Sequence, residues 1–275
     1  MNESNQNPSF LQKLFYCCMS RNPDTDINDL NLQRKAKDII HNIAEKISDS
    51  ILLFDRKYIC DDEINKITFT KEGIFNFINK IRSLNYTITN DNDGIKISTF
   101  PKSDLTDSIP IIRCEVQIPK SRFTMPPPIL DIARVNYSPE ERLKWDKNIK
   151  SYDLINKISS DTSISKLVTN KIAFVINERE TYDKRCEFMD DGVYYSFSTS
   201  IPDDFFPPQS EPVRVKNYFG IFVIWDDLNN FYFDSINQID VKNTIPVTMI
   251  TSPLPLKTKD FYDTLVSFFN SMSEE

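Results

Sequence analysis

The sequence predicts an α+β fold, a large antiparallel sheet with its helices set apart from it. Three observations lead there. Helical periodicity is confined to the region before Leu84, a middle stretch near 129–147 and the C-terminal segment; elsewhere the apolar period shortens toward two. Tight-turn signals such as Asp93-Gly94 and Asp191-Gly192 separate the alternating runs, because hairpin turns need residues that tolerate positive φ. The closing segment, Thr258 to Asn270, carries Phe261, Tyr262, Leu265, Val266, Phe268 and Phe269 on a wide apolar face that must be buried against something.

In chain order, residues 1–26 read as a disordered polar segment, interrupted by the apolar run Phe10 to Cys18. Helical spacing there would align Phe10, Leu14 and Cys17, and the adjacent Cys17 and Cys18 are candidates for palmitate. With Asn2 in second place N-myristoylation is not expected, which would leave one of the two usual anchoring signals missing; the plain alternative is a sticky patch on a loose terminus. Residues 27–69 read as a helical extension, with Ile39, Ile40, Ile43, Ile47 and Leu52 at helical spacing.

The main domain spans 70–275. It opens with a helix, Lys71 to Leu84, capped by Thr70, with Ile74, Phe75, Phe77, Ile78 and Ile81 on its apolar side. Strands follow around Tyr86–Ile88, Ile95–Ile97 and Ile111–Ile118, the last stopped by Met125-Pro126-Pro127-Pro128. A helical stretch near 129–147 breaks at Asn136 to Pro139, where Ser138 can cap and Pro139 can start a second helix. Strands are expected at 152–159, 162–169, 180–189, 192–200, 213–225 and 230–240, then the terminal helix at 258–270.

Composition narrows the function. Among 275 residues, 40% apolar side chains suffice for a core, and 33 basic against 40 acidic groups leave a net charge of −7. That is the wrong balance for coating nucleic acid, which demands a basic footprint. Apolar runs are too short for a membrane helix, and the polar first residues do not read as a secretory signal, so a cytoplasmic protein is expected. A single histidine, His41, removes imidazole-based nucleophile systems. The five cysteines show no zinc spacing, and four glycines are too few for a glycine-rich phosphate loop. No cofactor or metal is expected.

Several segments in order resemble the START family of lipid-transfer domains. Arg142-Leu143-Lys144-Trp145-Asp146 is similar to the family's Arg-x-x-Trp-Asp, followed by Tyr152 to Ile158 as its next strand. Arg179-Glu180 resembles its Arg-Asp, Ser198 to Ser200 with the prolines and Val213-Arg214 resemble the following segment, and Ile239 to Pro246 resembles Asp-x-Lys-Gly-x-x-Pro. Asn243 stands where glycine is usual, the next-best residue for a left-handed turn. Leu167 occupies the place of a buried glutamate that, in some sterol-binding members, faces an arginine matching Arg185.

The resemblance implies a helix-grip: a curved antiparallel sheet wrapped around the long C-terminal helix, with a lipid-sized hollow between them. It implies a non-enzymatic protein, acting as a monomer, that binds one lipid of phospholipid, sterol or ceramide type and moves it between membranes through transient contact. Arg185 is the expected head-group contact, with Tyr195, Tyr218, Trp225, Phe261 and Leu265 as candidate cavity residues. Ile172, Phe174, Ile176 and Phe268 are candidates for a gate. Two other readings compete: a protein-interaction or lipid-sensing module docking partners through 27–60, and a cyclase or hydrolase on the related Bet v 1-like plan.

Overall fold

In a computed structural model, the residues described are 70–101, 103, 105–106, 109–171, 177–242 and 252–273. Cys17, Cys18, His41, the stretch 27–60, the gate residues Ile172, Phe174 and Ile176, and the turn residue Asn243 lie outside them. The chain runs α1 (Lys71–Arg82), β1 (Thr87–Asn92), β2 (Ile95–Phe100), β3 (Ile111–Pro119), α2 (Ile129–Tyr137), α3 (Pro139–Trp145) and β4 (Ile149–Lys157). It continues through β5 (Thr162–Thr169), β6 (Arg179–Asp190), β7 (Val193–Ser200), β8 (Val213–Arg214), β9 (Lys216–Asp226), β10 (Asn230–Asp240) and α4 (Leu254–Met272).

One sheet holds all ten strands in the order β1-β2-β3-β10-β9-β7-β6-β5-β4. Every pairing on that path is antiparallel; β8 adds to β6 in parallel. The segment α2–α3 carries the chain from β3, in the middle of the sheet, to β4 at its far edge. The helix-grip plan expected from the sequence is the plan observed.

Because side chains alternate across a strand, the sheet bears two separate cores. On the outer face, Phe197, Phe219, Ile221, Val223 and Ile236 meet Ile74, Ile78 and Ile81 of α1. Phe77 packs edge-on against Phe197 and Phe219 at 5.6 and 5.3 Å. Thr70 caps α1 as predicted, its Oγ1 accepting from Gly73 N at 3.1 Å. The helix's other end is pinned by charge: fully buried Asp234 accepts two bonds from Arg113, at 2.9 and 2.8 Å, and pairs with Arg82 at 2.8 Å. On the inner face, Ile95, Val116, Ile118, Ile224, Phe231 and Phe233 meet α4 through Tyr262, Leu265, Val266 and Phe269.

Several boundaries differ from the sequence reading, and three of them shape the inner face. Helix α4 starts at Leu254 rather than Thr258, since Pro255 sits in the first turn, where its missing N–H costs nothing. The expected strand 213–225 is two strands, and β9 carries a bulge at Tyr218, between the pairs Asn217–Ile239 and Phe219–Gln238. The left-handed turn after β10 contains Lys242 at φ 54°, held by Asp240, which accepts from Lys242 N at 2.8 Å.

Replacing Asp234 with alanine leaves Arg82 and Arg113 facing each other, with Glu115, 3.1 Å from Arg113, as the remaining carboxylate among the described residues. The expected cost is about 3–5 kcal/mol, the usual size for breaking a buried pair, read as a fall in the urea midpoint. A loss under about 1 kcal/mol would show that packing of α1, and not this charge cluster, holds the outer face.

Candidate functional site

The inner core is solid at one end and hollow at the other. Three cross-strand rows on the inner face explain why. The first runs Val116, Phe233, Ile224, Tyr194 across β3, β10, β9 and β7; the second runs Cys114, Ser235, Phe222, Ser196; the third runs Ile112, Asn237, Gly220, Ser198 and on to Arg185 in β6. Down each central strand the inward side chains shrink: Phe233 to Ser235 to Asn237, Ile224 to Phe222 to Gly220, Tyr194 to Ser196 to Ser198. Helix α4 crosses all three rows. Its C-terminal half rests on large residues, while Leu254, Thr258 and Phe261 of its first half roof a cavity of about 780 Å³.

Gly220 forms the middle of the cavity floor. A Cβ there would lie 2.8 Å from Ser198 Oγ and 3.1 Å from Asn237 Oδ1, so any side chain would force the floor to rearrange. Apolar walls come from Ile97, Ile112, Leu167, Phe222 and Ile239.

The rim near α3 is built by the Arg-x-x-Trp-Asp segment. Arg142 binds Asp146 through Nε and Nη2 at 2.9 and 2.7 Å and donates to Asn136 Oδ1 at 2.6 Å. Its guanidinium lies 4.6 Å from the Trp145 ring centroid and 4.9 Å from that of Phe261. Trp145 Nε1 donates to Val135 O at 3.2 Å. One motif thus locks α2, α3, the entry to β4 and the roof helix together. Ser138 marks the break as expected, although its hydroxyl donates to Glu140 and accepts no bond from the helix backbone.

Arg185 projects into the cavity wall, its side chain 12% exposed. Among the described residues its one hydrogen bond goes to the Tyr152 hydroxyl, at 2.6 Å. The ring of Tyr137 lies beneath it at 4.1 Å, and Glu187 approaches no closer than 3.9 Å. Burial opposes the arginine's charge, but Tyr152, Tyr137 and Glu187 more than offset it, holding its pKa above the ordinary value. Leu167 faces the same cavity and brings no acid. Burial pushes the carboxyls of Asp183 and Glu187 up, against the pull of hydrogen bonds from Asn217 and Ser200 at Asp183 and of the Arg185 charge at Glu187. It also raises the Cys114 thiol to about 11 and the Tyr137 hydroxyl to about 12. Asn217 donates through Nδ2 to Asp183 and Ser198 at 3.2 Å each, while its buried Oδ1 has no partner among the described residues.

Of the residues singled out from sequence, Arg185 and Phe261 line the cavity. Leu265 and half-buried Phe268 belong to the solid end of the inner core. Tyr195, Tyr218 and Trp225 do not reach the cavity. They lie on the outer face: Tyr195 packs on Phe75 and Phe188, Trp225 under Arg82, and Tyr218 beside the same cluster at the bulge. For Tyr195 and Trp225 this is a one-residue error in strand parity, which moves a side chain to the opposite face; Tyr218 shares the parity of Gly220 and Phe222 and is turned away by the bulge. Tyr137, Tyr152, Ser198, Asn217 and Asn237 were missed. Gly220 had a visible signal, a glycine inside a strand pattern.

The START domain family matches residues 89–275, most of the chain. The chain belongs to the START domain family. Its fold is similar to that of human StAR-related lipid transfer protein 5, with TM-score 0.61 and 20% identity over 74% of this chain and 95% of that one. Human STARD10 superposes with TM-score 0.61 and 13% identity over 75% and 82%. The human StarD13 lipid transfer and protein localization domain gives TM-score 0.51 and 15% identity over 74% and 98%. No curated protein matches the chain by sequence. START domains are generally lipid-binding, and among the described residues no helix is long and apolar enough to cross a membrane.

The raised carboxyls set a pH dependence. With folded-state pKa values above the unfolded ones, near 3.9 for Asp and 4.3 for Glu, their contribution to stability is full below about pH 4 and is lost as pH rises through the folded values. Glu187→Gln is therefore expected to flatten the decline in urea midpoint between acid and neutral pH. An unchanged slope would place the titrating group elsewhere.

Proposed function

We propose that this START domain binds a single lipid in the inner cavity and transfers it between membranes without chemical change. The observation carrying this is the hollow itself: about 780 Å³ with apolar walls, Leu254 and Phe261 of the roof helix above it, and polar groups that cross the floor from Arg185 to Asn237. Such proportions suit a small-molecule site, for which about 300–1,000 Å³ is usual. Each buried CH₂ contributes about 0.8 kcal/mol, so an acyl chain or ring system supplies the drive and the polar groups supply the choice.

The net charge of −7 favours membrane contact through apolar surface or a tether, not through a basic patch. Palmitate on Cys17 and Cys18 is the tether suggested by sequence.

Native mass spectrometry of the purified chain, with organic extraction of what travels with it, tests the reading. A stoichiometric lipid is expected. Ser235→Leu, which fills the floor, is expected to lower bound lipid at least tenfold with the fold retained by circular dichroism. An empty protein that also refuses sterols, fatty acids and phospholipids would favour an interaction module instead.

A further inference from the structure

Between β3 and α2 the chain passes through Met125-Pro126-Pro127-Pro128. Each proline ring fixes φ at about −65°, and residues 125–127 each precede a proline, which pushes them to extended ψ. The segment is therefore held as a polyproline II helix, and Pro128 sits at φ −59°, ψ 149°. That helix has three residues per turn, so Met125 and Pro128 share one ridge, Pro126 forms the second and Pro127 the third. Burial follows the same threefold pattern. Met125 is 68% exposed, Pro126 and Pro128 are exposed, and Pro127 is half-buried. Two of the three ridges thus face solvent, and none of the four residues lines the lipid cavity.

Both ends of the segment are pinned. Phe123 is buried edge-on against Phe231 and Phe269, at 5.4 and 6.1 Å. Asn270 of α4 closes a bracket: its Oδ1 accepts from Thr124 N at 2.8 Å, and its Nδ2 donates to Arg122 O at 3.1 Å. At the other end Pro128 O accepts from Asp131 N and Ile132 N, at 3.0 and 3.2 Å, as α2 begins. Among the described residues, no hydrogen bond reaches the carbonyls of Met125, Pro126 or Pro127. Beside the bracket, Arg122 and Lys259 hold Asp263 between them at 2.7 Å each, two cations to one anion on a chain of net charge −7.

We propose that this strap is a docking site for a protein module with an aromatic-lined polyproline groove and an acidic rim, the kind carried by SH3 domains. Groove aromatics fit between the two outward ridges, donors of the groove take the free carbonyls, and the acidic rim meets the Arg122 cluster. Pinning at Phe123, Asn270 and Pro128 pre-orders the strap, which removes part of the ordering cost of binding. Pro128 leads into α2, but exposed Met125 and Pro126 are not needed for that. The inference is independent of the lipid-binding reading, since it concerns a different surface.

The test titrates the full chain into a panel of isotope-labelled, acidic-rimmed SH3 domains, with a WW domain, whose groove lacks that rim, for comparison. Saturable shifts at groove residues are expected, with the best SH3 domain binding at least tenfold more tightly than the WW domain. Met125→Ser combined with Pro126→Ala is expected to weaken binding at least tenfold while the Tm and the lipid that travels with the chain stay unchanged. Asn270→Ala, which opens the bracket without removing an outward ridge, is expected to weaken it several-fold. Arg122→Gln is expected to weaken it several-fold and to flatten its dependence on salt. No shifts at about 1 mM SH3 domain, a Kd worth only about 4 kcal/mol, would overturn the proposal. So would binding that the double variant leaves intact, or a WW domain that binds as well. A double variant that instead loses vesicle binding or self-association would overturn it in favour of a membrane or a second copy of the chain.

Discussion

The structure depends on a size gradient along three adjacent strands. β7, β9 and β10 each present large inward side chains at one end and small ones at the other, in register across the sheet. A straight roof helix cannot follow such a slope. Helix α4 therefore makes close contact where Phe231, Phe233 and Ile224 stand tall and spans open space where Ser235, Asn237, Gly220 and Ser198 do not. Protein interiors ordinarily fill to crystal-like density. A void of this size persists because the floor is polar enough to resist collapse and the second face of the sheet carries the stability.

That division of labour is visible strand by strand. Phe197, Phe219, Ile221 and Ile236 face outward, between the small inward residues, and give α1 a dense core to cover. The outer layer can be optimised for packing because it has no ligand to accommodate. The bulge at Tyr218 shifts the alternation of β9 and brings both Asn217 and Gly220 to the inner face. Without it, one of these two floor residues would point at α1.

The buried arginines follow the same logic. Asp234, with no exposed surface, holds two arginines and closes the contact between α1 and the sheet. Arg142 is likewise matched, by Asp146 and Asn136, and joins α2 and α3 to the roof through Trp145 and Phe261. Charges that serve architecture have partners at hydrogen-bond distance from both sides. Arg185 differs in its geometry, and that difference, not its burial alone, supports a role toward ligand.

Local chemistry made much of the fold legible from sequence. Thr70, Ser138-Pro139, Asp93-Gly94 and Asp191-Gly192 mark element ends through short-range rules, and β5 and β10 fall where alternation places them. The aromatic stripe of α4 announced a helix that must be gripped. Cavity residues were another matter. Whether Tyr195 or Ser196, Trp225 or Ile224 faces the helix turns on a parity that pairing and one bulge decide, and residues such as Tyr137 and Tyr152 meet Arg185 from separate segments. The sequence by itself determined most of the order of elements and the need for a buried terminal helix, because those follow from periodicity and turn chemistry within short stretches, while the family was legible only through motifs such as Arg142 to Asp146. Only the tertiary structure decided where the hollow lies and which groups line it, since an empty space is a property of residues that are far apart in the chain and small in register.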